Sequence, residues 1–409
     1  MDSCTICDRP RNEVKVLVPA KKPGKFLCDR CFDAAKVLLQ GAPKTASKKE
    51  EAPLQKPREI KVSLDAYVIS QEPAKVDMSI AIYEHYKRRD ALRKGIDLGV
   101  EIQKSNILLM GPSGTGKTQI ARSIARMLGV PFYVGDATKL TSAGYVGDDV
   151  ESLLQGLLAD CDNDVDRAQW GIIFIDEFDK LARKSGRGVT GFRDVSGEGV
   201  QQALLKILEG SKVQVPLGSG LMNTSCVSLD TTNVLFICAG SFAGIDDVVK
   251  RRVNKSVKMG FGAEARKDLT DADVYSAVSE DDILEFGFIP ELLGRIPIHT
   301  TTLPLTEDEM VRILTEPKDA LIKQFQALFK LDGVNLTFED DALRAIGREA
   351  TTRPTGARAL RSIVTKILKP FAYDTPSDPG ILEIRVTKDL VEGKGEALIT
   401  RETALKPES

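Results

Sequence analysis

Gly111-Pro112-Ser113-Gly114-Thr115-Gly116-Lys117-Thr118 is the stretch on which the fold turns. It fits the phosphate-binding pattern G-x-x-x-x-G-K-[ST], and both flanks are of the right kind. Ile107-Leu108-Leu109-Met110 precedes it, an apolar run short enough for a buried parallel strand. Ile120, Ala121, Ile124, Ala125 and Leu128 follow at helical spacing, and Gly129 with Pro131 marks the stop. Strand, glycine loop and helix converge backbone N–H groups and a positive helix end on a phosphate chain. In that arrangement Lys117 reaches the β- and γ-phosphates of ATP, and the Thr118 hydroxyl holds Mg²⁺.

Outward from this loop, strands and helices alternate in the α/β manner from about Glu59. Phe132-Tyr133-Val134 reads as a second strand, and Leu153, Leu154, Leu157 and Leu158 as the buried face of a helix. Ile172-Ile173-Phe174-Ile175 then runs into Asp176-Glu177. A strand buried on both faces delivers its C-terminal end to the ligand crevice, where Asp176 can hold the Mg²⁺ shell and Glu177 can polarise an attacking water. Val234-Leu235-Phe236-Ile237 is a further strand, leading into Ala239-Gly240-Ser241, where a polar group could sense the γ-phosphate. From Thr306 the pattern turns helical, through Met310, Ile313, Leu314, Leu321, Ile322, Phe325 and Leu328, and again over Ala342 to Leu368. Leu382 to Val386 alternates apolar and charged residues like a late, half-buried strand.

At 409 residues and 42% hydrophobic content the chain can fill more than one core. A net charge of −2 gives no global attraction to nucleic acid or to anionic membrane. With no apolar stretch near transmembrane length and no secretory or transit pattern, a cytoplasmic protein is expected. Near the N-terminus, Cys4-x-x-Cys7 and Cys28-x-x-Cys31 have the spacing of two knuckles that share one tetrahedral Zn²⁺, a closed structural site. The expected order is a zinc-binding domain over 1–40, a flexible linker over 41–58 and a large α/β ATPase domain over 59–305. A small helical lid over 306–400 and a polar tail over 401–409 complete it. His85 and His299 are read as structural, since nothing pairs them with cysteines or a nucleophile.

A nucleotide domain followed by a helical lid looks like an AAA+ ATPase. Further landmarks stand in order: Tyr67-Val68-Ile69, His85-Tyr86-Lys87-Arg88, Gly144-Tyr145-Val146-Gly147, the run from Arg193 to Gln202, Gly294-Arg295 and Gly356-Ala357-Arg358. With the Cys₄ set and the phosphate loop, these resemble the ClpX family of protein-unfolding ATPases over nearly the whole chain. The resemblance implies a homohexameric ring with ATP bound between subunits. It implies Val68 and Ile69 in the adenine pocket, Arg295 as an arginine finger reaching a neighbour's γ-phosphate, and Arg358 as a lid sensor. It puts Tyr145 and Val146 on a pore loop that grips protein substrates, with Lys184, Arg187 and Arg193 on a second, basic loop. Protein substrates and adaptors, and a Clp-type peptidase partner, follow from the same likeness.

The sequence departs from the family pattern in three places. Ser70 stands where the family usually has Gly. Met259-Gly260-Phe261 stands where the peptidase-docking loop has Ile, Leu or Val before Gly-Phe, and Met can fill the same kind of pocket. Leu217 to Asp230 contains no Lys, Arg or His where the family has a basic pore-entrance loop. Two other readings stand beside the unfoldase: a remodelling chaperone that works without a peptidase, and a nucleic-acid motor. Against the motor stand the near-neutral charge and the lack of a basic strip interleaved with aromatics.

Overall fold

The computed structural model describes residues 3–19, 24–32, 54–100, 102–141, 149–183, 197–217, 225–257 and 270–402. The chain divides into two compact units, Met1–Pro53 and Leu54–Ser409. In the first, β1 (Leu17–Pro19) pairs antiparallel with β2 (Phe26–Cys28), and Leu17 lies opposite Cys28.

The second unit is built on β3 (Ile107–Met110), β4 (Phe132–Asp136), β5 (Ile172–Asp176), the hairpin β6 (Lys212–Leu217) and β7 (Ser225–Asp230), β8 (Leu235–Gly240) and β9 (Ile298–Thr301). Five of these form one parallel sheet in the order β4-β5-β8-β3-β9. Strand periodicity sorts its side chains onto two faces. Leu108, Met110, Ile173, Ile175, Phe236 and Cys238 join one core, which also holds Leu153, Leu154, Leu157 and Leu158. Ile107, Leu109, Ile172, Phe174, Leu235 and Ile237 join the other, against Ile120, Ala121 and Ile124 of the helix Lys117–Leu128. Burial on both faces is why these strands read as continuous apolar runs. His85 is buried too, its imidazole pushed down to about 3 by burial, with Nε2 3.1 Å from the Asn233 carbonyl.

Three differences from the sequence reading stand out. Half of Leu217 to Asp230 is strand, because Leu217 ends β6 and β7 pairs with it from Ser225 to Asp230, while 218–224 lies outside the described residues. The helical stretch from Ala342 to Leu368 is two helices, Asp340–Thr351 and Arg358–Asp374. The break between them carries Gly356 at φ +54°. The lid is also not purely helical. It contains β10 (Asn335–Phe338), β11 (Ile381–Val386) and β12 (Leu398–Arg401), with the expected late strand in the middle of the three. A third core, with Leu314, Ile346, Val364 and Ile384 fully or almost fully buried, holds this part together. No helix among the described residues is long and apolar enough to cross a membrane.

Candidate active site

The parallel sheet brings three strand ends to one crevice. β3 runs into the phosphate loop, β5 ends at Asp176, and β8 ends at Gly240, which lies opposite Met110 in the register. The loop itself needs its glycines. Gly111, Gly114 and Gly116 have φ of +145°, +76° and +97°, where a side chain is strained. A Cβ on Gly114 would also lie 2.2 Å from the Thr355 carbonyl, so the lid backbone closes directly over the loop. From the sheet side, Thr115 Oγ1 is 2.6 Å from Thr302 Oγ1. A cradle of this shape fits a phosphate chain, with Pro112 and Ser113 forming its rim between the first two glycines.

Lys117 is buried, and its ammonium donates to the carbonyls of Gly111 at 2.6 Å and Pro112 at 2.8 Å. Burial pushes it down to about 8; Asp176 opposes that shift and Arg358 adds to it. Thr118 Oγ1 lies 3.5 Å from Asp176 Oδ2, so hydroxyl and carboxylate face the same point, as a shared Mg²⁺ would require. Arg358, at the start of its lid helix, brings a guanidinium nitrogen to 3.8 Å from the same carboxylate oxygen. Glu177 follows at φ +56°, an uncommon conformation for a residue with a side chain, and it leaves that side chain exposed. Lys117, Thr118, Asp176 and Arg358 border a cleft of about 490 Å³, whose apolar wall combines Tyr67, Val68 and Ile69 with Leu305, Ile313 and Pro317 of the lid side. Such a wall suits a flat aromatic base.

Ser70 and Gln71, next to that wall, both have left-handed backbones, at φ +55° and +62°. Ser70 therefore occupies a conformation that favours glycine. Burial pushes the Glu309 carboxyl on the lid helix Glu307–Thr315 up, but Ser70 and Thr306 beside it hold it below its usual range. Gln71 brackets the backbone of Leu303, donating to its carbonyl at 2.8 Å and accepting from its N–H at 2.7 Å.

Several contributors escaped the sequence reading. Arg122 borders the cleft four residues after Thr118, a spacing that places both on one helix face and could have identified it. Asp179 is buried and accepts from the Ser241 N–H at 3.0 Å and its hydroxyl at 3.2 Å. It thereby ties the short turn Phe178–Leu181, just past Glu177, to the end of β8, and the Ser241 hydroxyl is engaged there. A Cβ on Gly240 would come within 2.5 Å of that carboxylate. Nothing local in the sequence signals this contact.

Arg295 lies elsewhere. Its carbonyl accepts from Asn106 Nδ2 at 2.8 Å, at the start of β3, while the phosphate loop leaves the other end of that strand. Five residues of extended chain separate the two levels by about 17 Å, beyond the reach of an arginine side chain. Its guanidinium pairs instead with Glu209 at 2.6 Å. Tyr145, Val146, Met259, Gly260 and Phe261 lie outside the described residues, as do Lys184, Arg187 and Arg193.

In the other unit, Cys4, Cys7, Cys28 and Cys31 converge, with all four sulfurs within 4.8 Å of one another. None of the four is in a disulfide. The Cys28 N–H points at Cys4 Sγ and the Cys31 N–H at Cys28 Sγ, each at 3.4 Å. The hydrogen bond with Cys7, then burial and the other sulfurs, push the Cys31 thiol up to about 12. Four crowded thiolates need a cation between them, and this set can hold a metal ion.

A parallel sheet, a phosphate loop, a strand-end Asp-Glu pair and a lid arginine define an AAA+ ATPase. Residues 102–299 match the family described as AAA domain (Cdc48 subfamily). Residues 305–383 match the C-terminal, D2-small domain, of ClpB protein. The chain is 46% identical over 395 residues to the ATP-dependent Clp protease ATP-binding subunit ClpX of Treponema denticola, covering 95% of this chain and 93% of that one. It is 41% identical over 399 residues to the protein of the same name from Borrelia duttonii, covering 96% and 91%. The chain belongs to the ClpX family.

Proposed function

We propose that the chain is the subunit of a homohexameric, ATP-driven protein unfoldase that hands threaded polypeptides to a Clp-type peptidase. The observation that carries this is the split between the two ends of β3, with the cleft of Lys117, Thr118, Asp176 and Arg358 at one end and Arg295 at the other. Hydrolysis that needs Arg295 then needs a second subunit, and a closed ring supplies one to every site. Val68 and Ile69 hold the adenine. Gly111 to Thr118 and Lys117 hold the phosphates, and Thr118 and Asp176 hold Mg²⁺. Glu177 orients the attacking water, while Arg358 and a neighbour's Arg295 stabilise the charge on the transferring phosphoryl group. The chain is an ATPase and supplies no peptidase step.

Tyr145 and Val146 grip substrate in the pore in this reading, and Met259-Gly260-Phe261 docks the peptidase. The relatives' printed names support that partnership. The metal at Cys4, Cys7, Cys28 and Cys31 is Zn²⁺. A tetrahedron with Zn–S arms of about 2.3 Å has edges of about 3.8 Å, close to the 3.6 Å between the sulfurs of Cys7 and Cys28. The division at 40, 58, 305 and 400, a role for the Cys₄ domain with adaptors, a cytoplasmic location and the lack of a nucleic-acid partner belong to the same reading.

The test is ATP-dependent degradation of a folded reporter with and without the peptidase. Glu177→Gln is expected to bind ATP yet lose hydrolysis by at least about 100-fold, the scale of removing one transition-state contact. Tyr145→Ala is expected to hydrolyse ATP but fail on the folded reporter. Normal degradation by both variants would sink the reading.

A further inference from the structure

The side chain of Asn106 is buried at the start of β3, and all its polar atoms are engaged. Nδ2 donates to the carbonyls of Arg295 at 2.8 Å and Leu208 at 3.2 Å, and Oδ1 accepts from the Phe236 N–H at 3.3 Å. Two residues earlier, Lys104 Nζ donates to the carbonyls of Ile207, Thr231 and Val234 at 3.0 to 3.3 Å. Ile207 and Leu208 lie in the last turn of the helix Glu198–Glu209, where carbonyls have no partner within the helix. Lys104 and Asn106 thus cap this helix from outside, and its final residue, Glu209, is the one that pairs with the Arg295 guanidinium. Arg295 is held at both ends, its backbone by Asn106 and its side chain by Glu209.

We propose that Asn106 is a positioning residue for Arg295, setting the height and direction at which the guanidinium leaves this subunit for its neighbour's nucleotide. This rests on Arg295 acting in trans. The chemistry suits the role. A neutral amide that donates twice and accepts once ties three separate elements, β8, the helix end and the Arg295 turn, to the start of β3 without adding a charge beside the guanidinium. Glu209 and Arg295 are both about half exposed, at 45% and 47% of their side-chain surface. A pair so exposed is weak, and a phosphate can displace the carboxylate. Asn106 is buried and keeps its grip on the backbone while that exchange occurs. A displacement of about 1 Å at the reacting centre costs on the order of 100-fold in rate, which sets the scale for loosening this hold.

Asn106→Ala is expected to lower kcat for ATP by about 10- to 100-fold with KM changed by no more than about twofold, because the variant's own nucleotide cleft is intact. The decisive measurement uses tandem-linked subunits that alternate around the ring. In rings alternating Asn106→Ala with Glu177→Gln, every site that can hydrolyse receives Arg295 from a subunit with Asn106 intact. Only half of the sites in such a ring can hydrolyse, so activity should return to at least about five times that of all-Asn106→Ala rings, matching rings that alternate Arg295→Ala with Glu177→Gln. Recovery with Arg295→Ala but not with Asn106→Ala would overturn the proposal and leave the trans arginine standing. No recovery with Arg295→Ala would overturn the trans arginine, and the proposal with it. Loss of ring assembly or of nucleotide binding by both Asn106→Ala and Asn106→Ser would show a role in folding alone and would likewise overturn it.

Discussion

In the unit Met1–Pro53 the buried apolar side chains, among the described residues, are Cys4 and Cys28, while Ile6, Val16, Val18 and Phe32 are at least half exposed. In the unit Leu54–Ser409 each face of the parallel sheet has its own core, and the C-terminal part has a third. Both units concentrate charge around a site suited to a metal ion, but for opposite purposes. Among its described residues the small unit buries little beyond Cys4 and Cys28, so an ion held by the four cysteines would supply folding free energy that a core otherwise provides. The large unit folds on apolar burial and leaves Thr118 and Asp176 at a strand-end crevice, where a metal would serve chemistry.

Chelation tests this contrast most strongly. A tight chelator should unfold the small unit, since structural metal sites of this kind contribute about 10–16 kcal/mol of apparent binding free energy. Hydrogen exchange should then lose protection at the amides of Thr5 and Asp29, which bond the carbonyls of Phe26 and Val16. The melting of the large unit should not move. If both units lost protection together, the contrast would be wrong.

Leu154→Ala probes the other side. Leu154 is fully buried in one of the two sheet cores, and its truncation should destabilise the large unit by about 2–5 kcal/mol in a denaturant titration. The small unit should keep its exchange protection. Asp179→Ala should cost less, about 1–3 kcal/mol, by leaving the Ser241 N–H and hydroxyl without their acceptor. It should also slow ATP hydrolysis, because the turn after Glu177 loses its tie to β8. Unchanged turnover would confine Asp179 to stability.

The smallest effect is expected at Ser70→Gly. Glycine relieves the left-handed backbone but removes the hydroxyl that helps keep the Glu309 carboxyl low, so the two terms oppose each other. A net stabilisation of less than about 1 kcal/mol is expected by thermal melting. A clear loss would mean that the Ser70 tie between base pocket and lid outweighs the strain.

Much of the large unit was legible because its signals are local. Ile107 to Met110, Ile172 to Ile175 and Leu235 to Ile237 are apolar throughout because both faces of a central parallel strand are buried. The glycines of the phosphate loop announce backbone conformations that side chains resist. β9 escaped notice because Ile298-His299-Thr300-Thr301 is an edge strand of mixed polarity. β10 and β12 are four residues each, too short for a period to show.

By itself the sequence determined which chemistry is present: a phosphate cradle, a Lys117 to fill it, an Asp176-Glu177 pair, four cysteines at metal spacing and two candidate arginines. These are properties of short segments, fixed by residue type and spacing. Only the tertiary structure decided how the arginines divide. Arg358, more than two hundred residues after the phosphate loop, comes to the Asp176 carboxylate because the lid backbone at Thr355 and Gly356 packs on Gly114 and Ser113. Arg295, which precedes β9 and lies closer in sequence, is carried to the far end of β3 by the parallel register. Lid packing places one arginine in this subunit's own cleft, and strand direction, a property of the whole sheet, carries the other to the opposite end of β3.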